Sequence, residues 1–213
     1  DLTRFLRADG TLDWQAPAGE WRILRIGHVS TGTVNSPAGA ARGLECDKLN
    51  AEAARLQYSG WFGAARQHMG SKLADQVLKF LFIDSWECGS QNWSTAFPAE
   101  FRKRRGYDLT RYLPAMCGIP VGDGDVSERF LLDVRSTIAE MIRDNFYKPV
   151  YALAKASGVT VGGETHCPVL MADDMLQHSE VDIPTGEFWP EVETNWKACD
   201  IADATSAAQV YDK

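Results

Sequence analysis

The chain has 213 residues, enough for one large domain with a sizeable core, and its composition, 45% hydrophobic and 24% charged, is that of a folded protein. A formal net charge of −7, with no basic run longer than Arg102–Arg105, argues against a nucleic-acid partner. No stretch reaches the roughly 18 apolar residues needed to span a bilayer, and the five scattered cysteines, with no CxxC, outline neither a zinc ribbon nor a disulfide framework.

The opening "DLTRFLRADG" is neither a signal peptide nor a start methionine, so an internal piece of a longer protein is expected. Through residue 30, "DGTLDW" and "APAGEWRILRIGHV" set glycine turns between short alternating runs. That pattern predicts a β hairpin at the edge of an adjoining β-sandwich. From Asp47, a predicted cap, a helix carries Leu49, Ala53 and Leu56, and further helix leads to a strand at 79–84. "PAEFRKRRGYDLTRYLP" predicts short helices, with Pro98 in a first turn and Pro114 as a stop. Residues 127–156 repeat Phe130, Leu131, Val134, Ile138, Met141 and Ile142 at helical spacing; Pro149 should kink that helix and Gly158 end it. "VTVGGETH" then reads as a strand and "MADDMLQHS" as a helix begun by Asp173 and Asp174. "VDIPTGEFW" reads as another strand, and 194–210 as helix again.

Strands separated by helices imply a parallel sheet. No strand is followed by GxGxxG or GxxxxGK[ST], which weakens a nucleotide-binding reading. What recurs is a polar, aromatic-bearing strand end: Asp84, Trp86 and Glu87, then Glu164 and His166, then Glu187 and Trp189. Active sites of (β/α)8 barrels are built at that end of the strands. The expected fold is therefore α/β: a β-hairpin or β-sandwich remnant over 1–30, and part of a (β/α)8 barrel over 31–213.

Acids beside tryptophans suit sugar recognition, with carboxylates and amides on hydroxyls and indoles over the ring. A carboxyl against an indole is also partly desolvated, which raises its pKa and suits a general acid. Glu87, next to Trp86 and followed by Gln91, Asn92 and Trp93, fits that role; the alternative is a structural carboxylate. Glu164 and Glu187 are rival carboxylates for catalysis or for binding substrate or metal. His28 and His166 could donate to hydroxyls, though a lone histidine is more often structural; His68 and His178 receive no role. The absence of HxH, HExxH and GxSxG argues against zinc and serine hydrolases.

Taken in order, "WRILRIGHVSTGTVNSPA", "GLECDKLN", "FIDSWECGSQNW", "EFRKRRGYDLTRYLP", "ERFLLDVRSTIAEMIRDNF" and "GEFW" resemble glycoside hydrolase family 106, the α-L-rhamnosidases. The resemblance implies a catalytic (β/α)8 barrel among β-sandwich domains of the same parent protein, in a bacterial secreted or periplasmic setting. It implies inverting hydrolysis of terminal α-L-rhamnosyl linkages in plant-type oligo- or polysaccharides. It also implies a calcium ion, whose ligands are unassigned, although Glu164 and Glu187 have the hard oxygens calcium prefers. In "IDSWE", Glu87 matches the general acid. Asp84, Trp86, Asn92, Trp93, Glu164, His166 and Trp189 are expected to line the sugar site. An inverting enzyme needs a second carboxylate roughly 6.5 to 9.5 Å from the acid. The family pattern puts that base on the strand after "AAQVYDK", beyond Lys213; Glu187 is the candidate within the chain. The alternative function is a non-hydrolytic sugar-binding piece.

Overall fold

A computed structural model describes residues 1–34, 42–84, 91–165, 173–187 and 198–213. In chain order the elements are α1 (Ala51–Tyr58), α2 (Ala64–Met69), α3 (Ser71–Val77), β1 (Phe80–Ile83), α4 (Phe97–Arg105), α5 (Gly124–Ile142), α6 (Lys148–Ala156), β2 (Thr160–Glu164), α7 (Asp174–His178), β3 (Ile183–Thr185) and α8 (Ala198–Val210).

Two compact units are formed. Residues 1–29 and 98–134 make the first, and 30–97 with 135–213 the second. Residues 98–134, expected within the barrel, thus cluster with the N-terminal segment. In the first unit the "RRGYD" motif is structural. Gly106 turns the chain at φ 82°, and Tyr107 stands edge-on to Phe101 and Tyr112 at 5.1 and 5.5 Å. The Tyr107 hydroxyl donates to Asp133 at 2.8 Å, while Asp108 accepts from the Thr110 amide and pairs with Arg102. The hairpin expected before residue 30 is not a ladder: its described residues show one antiparallel bridge, Leu6↔Leu12. Alternation in "EWRILRIGHV" requires a partner strand to become a sheet, and the described residues supply none. Pro114 does not stop its segment either. It lies inside a 3₁₀ stretch, Thr110–Cys117, which Gly118 ends in the left-handed region at φ 75°.

In the second unit, Asn50 rather than Asp47 caps α1, accepting from the Glu52 amide at 3.0 Å; Asp47 makes a tight turn onto the Leu49 amide instead. A π turn, Arg143–Tyr147, joins α5 to α6, just where Pro149 lacks the amide hydrogen an unbroken α-helix would need. The three strands pair in parallel, in the order β1-β2-β3, with Phe82 opposite Gly162 and Glu164 opposite Thr185. Their alternation sorts two faces. Leu81, Ile83 and Val161 are buried on one; Phe80, Phe82 and Ile183, on the other, are 47, 41 and 47% exposed. Asp182 ties β3 to β2: its carboxylate accepts from the Val161 amide, the Tyr151 hydroxyl and the Lys155 ammonium at 2.8 to 3.0 Å. Neither a closed barrel nor a sandwich is present among the described residues.

Candidate active site

The parallel register brings the candidate residues together at one end of the sheet. Asp84 follows β1 directly, Glu164 is the last residue of β2, and Glu187 lies two residues beyond β3. Counting along the strands, Phe80, Phe82 and Asp84 share a face with Gly162, Glu164 and Thr185. Gly186 turns its missing side chain toward α8: a Cβ there would sit 2.5 Å from the Asp200 carbonyl oxygen. Alternation carries Glu187 back to the face of Glu164. Asp84 is exposed and Glu187 half-buried, whereas Glu164 is buried at 6% exposure.

The flanking candidates divide. Asn92 is exposed. Trp93 is half-buried, with its ring centroid 5.2 Å from that of the buried Phe97, so part of its indole is packed. Gln91 is a clamp: its amide donates to the Cys46 carbonyl at 2.8 Å and accepts from the Lys48 amide at 3.1 Å. His28 is exposed and belongs to the first unit. Trp86, Glu87, His166 and Trp189 lie outside the described residues.

A polar group that sequence reasoning passed over sits behind the β2 terminus. Thr165 and His178 are 4 and 1% exposed, with Thr165 Oγ1 3.5 Å from His178 Nε2. The Asp174 carboxylate faces the Thr165 hydroxyl and the Asp203 carboxylate on α8; burial first, and then the Asp203 carboxylate, push its pKa up to about 6. Burial lowers His178 to about 4, with Asp203 opposing and Lys213 reinforcing the fall, so its ring is neutral near pH 7. The adjacent Gln177 is fully buried, and neither its amide oxygen nor its nitrogen has a hydrogen-bond partner among the described residues. In "MADDMLQHS" the only signal was Gln-His at the end of a short helix, where a solvated face is the ordinary reading.

Calcium takes six to eight oxygen ligands. Among the described residues no three acidic, histidine or cysteine side chains converge as such a set, and no step is assigned to the ion. No described helix is long and apolar enough to cross a membrane. A hollow of about 880 Å³ in the first unit, lined by Leu6, Arg22, Ile23, Arg111 and Leu113 among others, includes none of the candidate residues.

The sequence model of glycoside hydrolase family 106, described as α-L-rhamnosidase, matches residues 1–213. A protein of Formosa agariphila provisionally named beta-glucuronidase is 37% identical over 190 residues, which is 89% of this chain and 16% of that protein. The solved structure of a rhamnosidase from Novosphingobium sp. PP1Y superposes with a TM-score of 0.79 at 33% identity, covering all of this chain and 21% of that one. The chain thus spans about a fifth or less of the length of either relative. A match to the family along its whole length, on a fold shared with a solved rhamnosidase, settles the grouping: this chain belongs to glycoside hydrolase family 106.

Proposed function

We propose that this chain is part of the catalytic domain of a glycosidase that releases terminal α-L-rhamnosyl residues from plant-type oligo- or polysaccharides with inversion of configuration. The observation that carries the reading is the gathering of Asp84, Glu164 and Glu187 at the C-terminal end of one parallel sheet, in a chain of a glycosidase family. Parallel sheets place their chemistry at that end, and continuation of these strands into a (β/α)8 barrel would enclose the open face that bears Phe80, Phe82 and Ile183.

In this reading Glu87, four residues beyond β1 in the sequence, protonates the departing oxygen. A second carboxylate takes a proton from the attacking water on the opposite face of the sugar. Glu187 is the base within these residues, unless that role falls to a strand beyond Lys213. Asp84, Asn92, Glu164 and His166 hold the hydroxyls, and Trp86, Trp93 and Trp189 cover the ring.

A second reading, a β-glucuronidase, is favoured by the Formosa relative's name alone. One experiment separates the two: the full-length gene product is assayed on aryl α-L-rhamnoside and aryl β-glucuronide, with NMR following the released anomer. Rhamnose released with inversion, and lost by at least a hundredfold in Glu87→Gln, supports the proposal. Glucuronate release alone transfers it to the second reading. A folded product that binds rhamnose but cleaves neither substrate is a sugar-binding protein.

A further inference from the structure

We propose that Thr165 is a positioning residue for Glu164, held from behind the sheet by His178 and Asp174. The inference rests on the functional reading above, in which Glu164 contacts the sugar. Strand alternation sends the Glu164 side chain to the open face and that of Thr165 to the helix layer on the opposite side. The two residues share a peptide, so fixing one fixes the other.

Three contacts do the fixing. Tyr147 donates its hydroxyl to the Glu164 carbonyl at 3.4 Å. The Asp174 carboxylate lies against the Thr165 hydroxyl, which opposes the rise in its pKa. Thr165 Oγ1 also faces His178 Nε2 at 3.5 Å, where a neutral ring carrying its proton on Nε2 donates to one of the hydroxyl's lone pairs. Asp174 faces Asp203 on α8 in turn, and Asp173 caps α7 by accepting from the Leu176 amide at 3.1 Å. The end of β2 is thereby tied through α7 to α8.

A valine would fill the site of Thr165 at nearly the same volume, with no need for a buried histidine and a half-buried carboxylate behind it. Gln177 and His178 Nδ1, buried without hydrogen-bond partners among the described residues, show that burial here is costly. Departures from the cheaper apolar solution concentrate where geometry serves function. Holding Glu164 in place matters because a misplacement of about 1 Å in a substrate-positioning residue can cost on the order of a hundredfold in rate.

A double-mutant cycle in the full-length gene product tests the role, with kcat/KM on the aryl α-L-rhamnoside as readout. Thr165→Val, which keeps volume and loses the hydroxyl, should lower kcat/KM at least tenfold, and Thr165→Ser should restore it to within about threefold. In a Glu164→Gln background Thr165→Val should change nothing further, because its effect passes through that carboxylate. A merely structural role would multiply the two losses. If Thr165→Val fails to fold, His178→Leu, which removes the donor alone, enters the same cycle with the same expectation. Multiplying effects, or a normal Thr165→Val beside an impaired Glu164→Gln, overturn this inference alone. A Glu164→Gln enzyme of normal activity also overturns it. A wild type inactive on the rhamnoside overturns the functional reading and takes the inference with it.

Discussion

Two glycines show how a single missing methyl can have opposite consequences. A Cβ at Gly186 would lie 2.5 Å from the Asp200 carbonyl oxygen and 2.6 Å from its carbon, both backbone atoms at the start of α8. Backbone cannot swing aside, so Gly186→Ala must push the end of β3 away from α8 and displace Glu187 with it. The expected cost is about 1 to 3 kcal/mol, as for other overpacked sites, with kcat falling more than stability alone explains; thermal melts beside kcat at a temperature well below the melt check it. A Cβ at Gly162 would meet the far end of the Phe80 ring, which is 47% exposed and free to rotate outward. Gly162→Ala should therefore cost under about 1 kcal/mol, and an equal loss at both positions would sink the distinction. Neither role was legible in "VTVGGETH" or "VDIPTGEFW", because a close approach between β3 and α8 is a property of packing rather than of local sequence. The same holds for His178: nothing within "MLQHS" says which face α8 will cover.

At the scale of elements, α7 carries two groups whose titrations oppose each other. Asp174, raised to about 6 by burial and by Asp203, keeps a proton that the unfolded chain has released above about pH 4. Its contribution to stability is full at low pH and is lost as pH rises through about 6. His178, lowered to about 4 by burial, stays neutral where the unfolded ring would take up a proton below about 6.5. Its contribution is full above about 6.5 and is lost as pH falls toward 4. Between about pH 4 and 6 the two slopes offset each other. Asp174→Asn should expose the histidine's slope, with stability rising with pH by up to about 1.4 kcal/mol per unit. His178→Gln should expose the opposite slope; urea midpoints across that range check both, and parallel curves for the two variants would refute the pairing. Asp182 gives the tie between β2 and β3. Asp182→Ala strands the amide of the fully buried Val161 and frees Tyr151 and Lys155, which should cost about 3 kcal/mol by chemical denaturation. The strands themselves were plain in the sequence, because "FLFI" and "TVGGE" end abruptly in polar residues. So was the interruption before Pro149, which removes one amide hydrogen. The segment "EWRILRIGHV" misled for a physical reason: alternation records a face to be covered, and only a neighbouring strand turns it into a sheet.

At the scale of the molecule, the sheet leaves both of its edges and one face unfilled among the described residues. β1 and β3 are each paired on one side only, and Phe80, Phe82 and Ile183 are almost half exposed on the open face, the two phenylalanine rings stacked with centroids 6.3 Å apart. Parallel sheets are ordinarily covered on both faces, and apolar side chains beside unpaired strand edges promote association. The 213-residue chain expressed by itself should therefore associate in a concentration-dependent way, as followed by sedimentation velocity. Phe82→Lys with Ile183→Lys should suppress that association, because two ammonium groups on the open face resist being buried, while leaving the helix-covered face of Leu81, Ile83 and Val161 untouched. In the full-length product the same pair of substitutions should instead destabilise the fold, if the face is lined there by further strands as the barrel proposal requires. A chain that stays monomeric at every concentration, with a full-length product indifferent to both lysines, would mean that this face is solvent-exposed in the full-length product. The parallel sheet would then end at three strands.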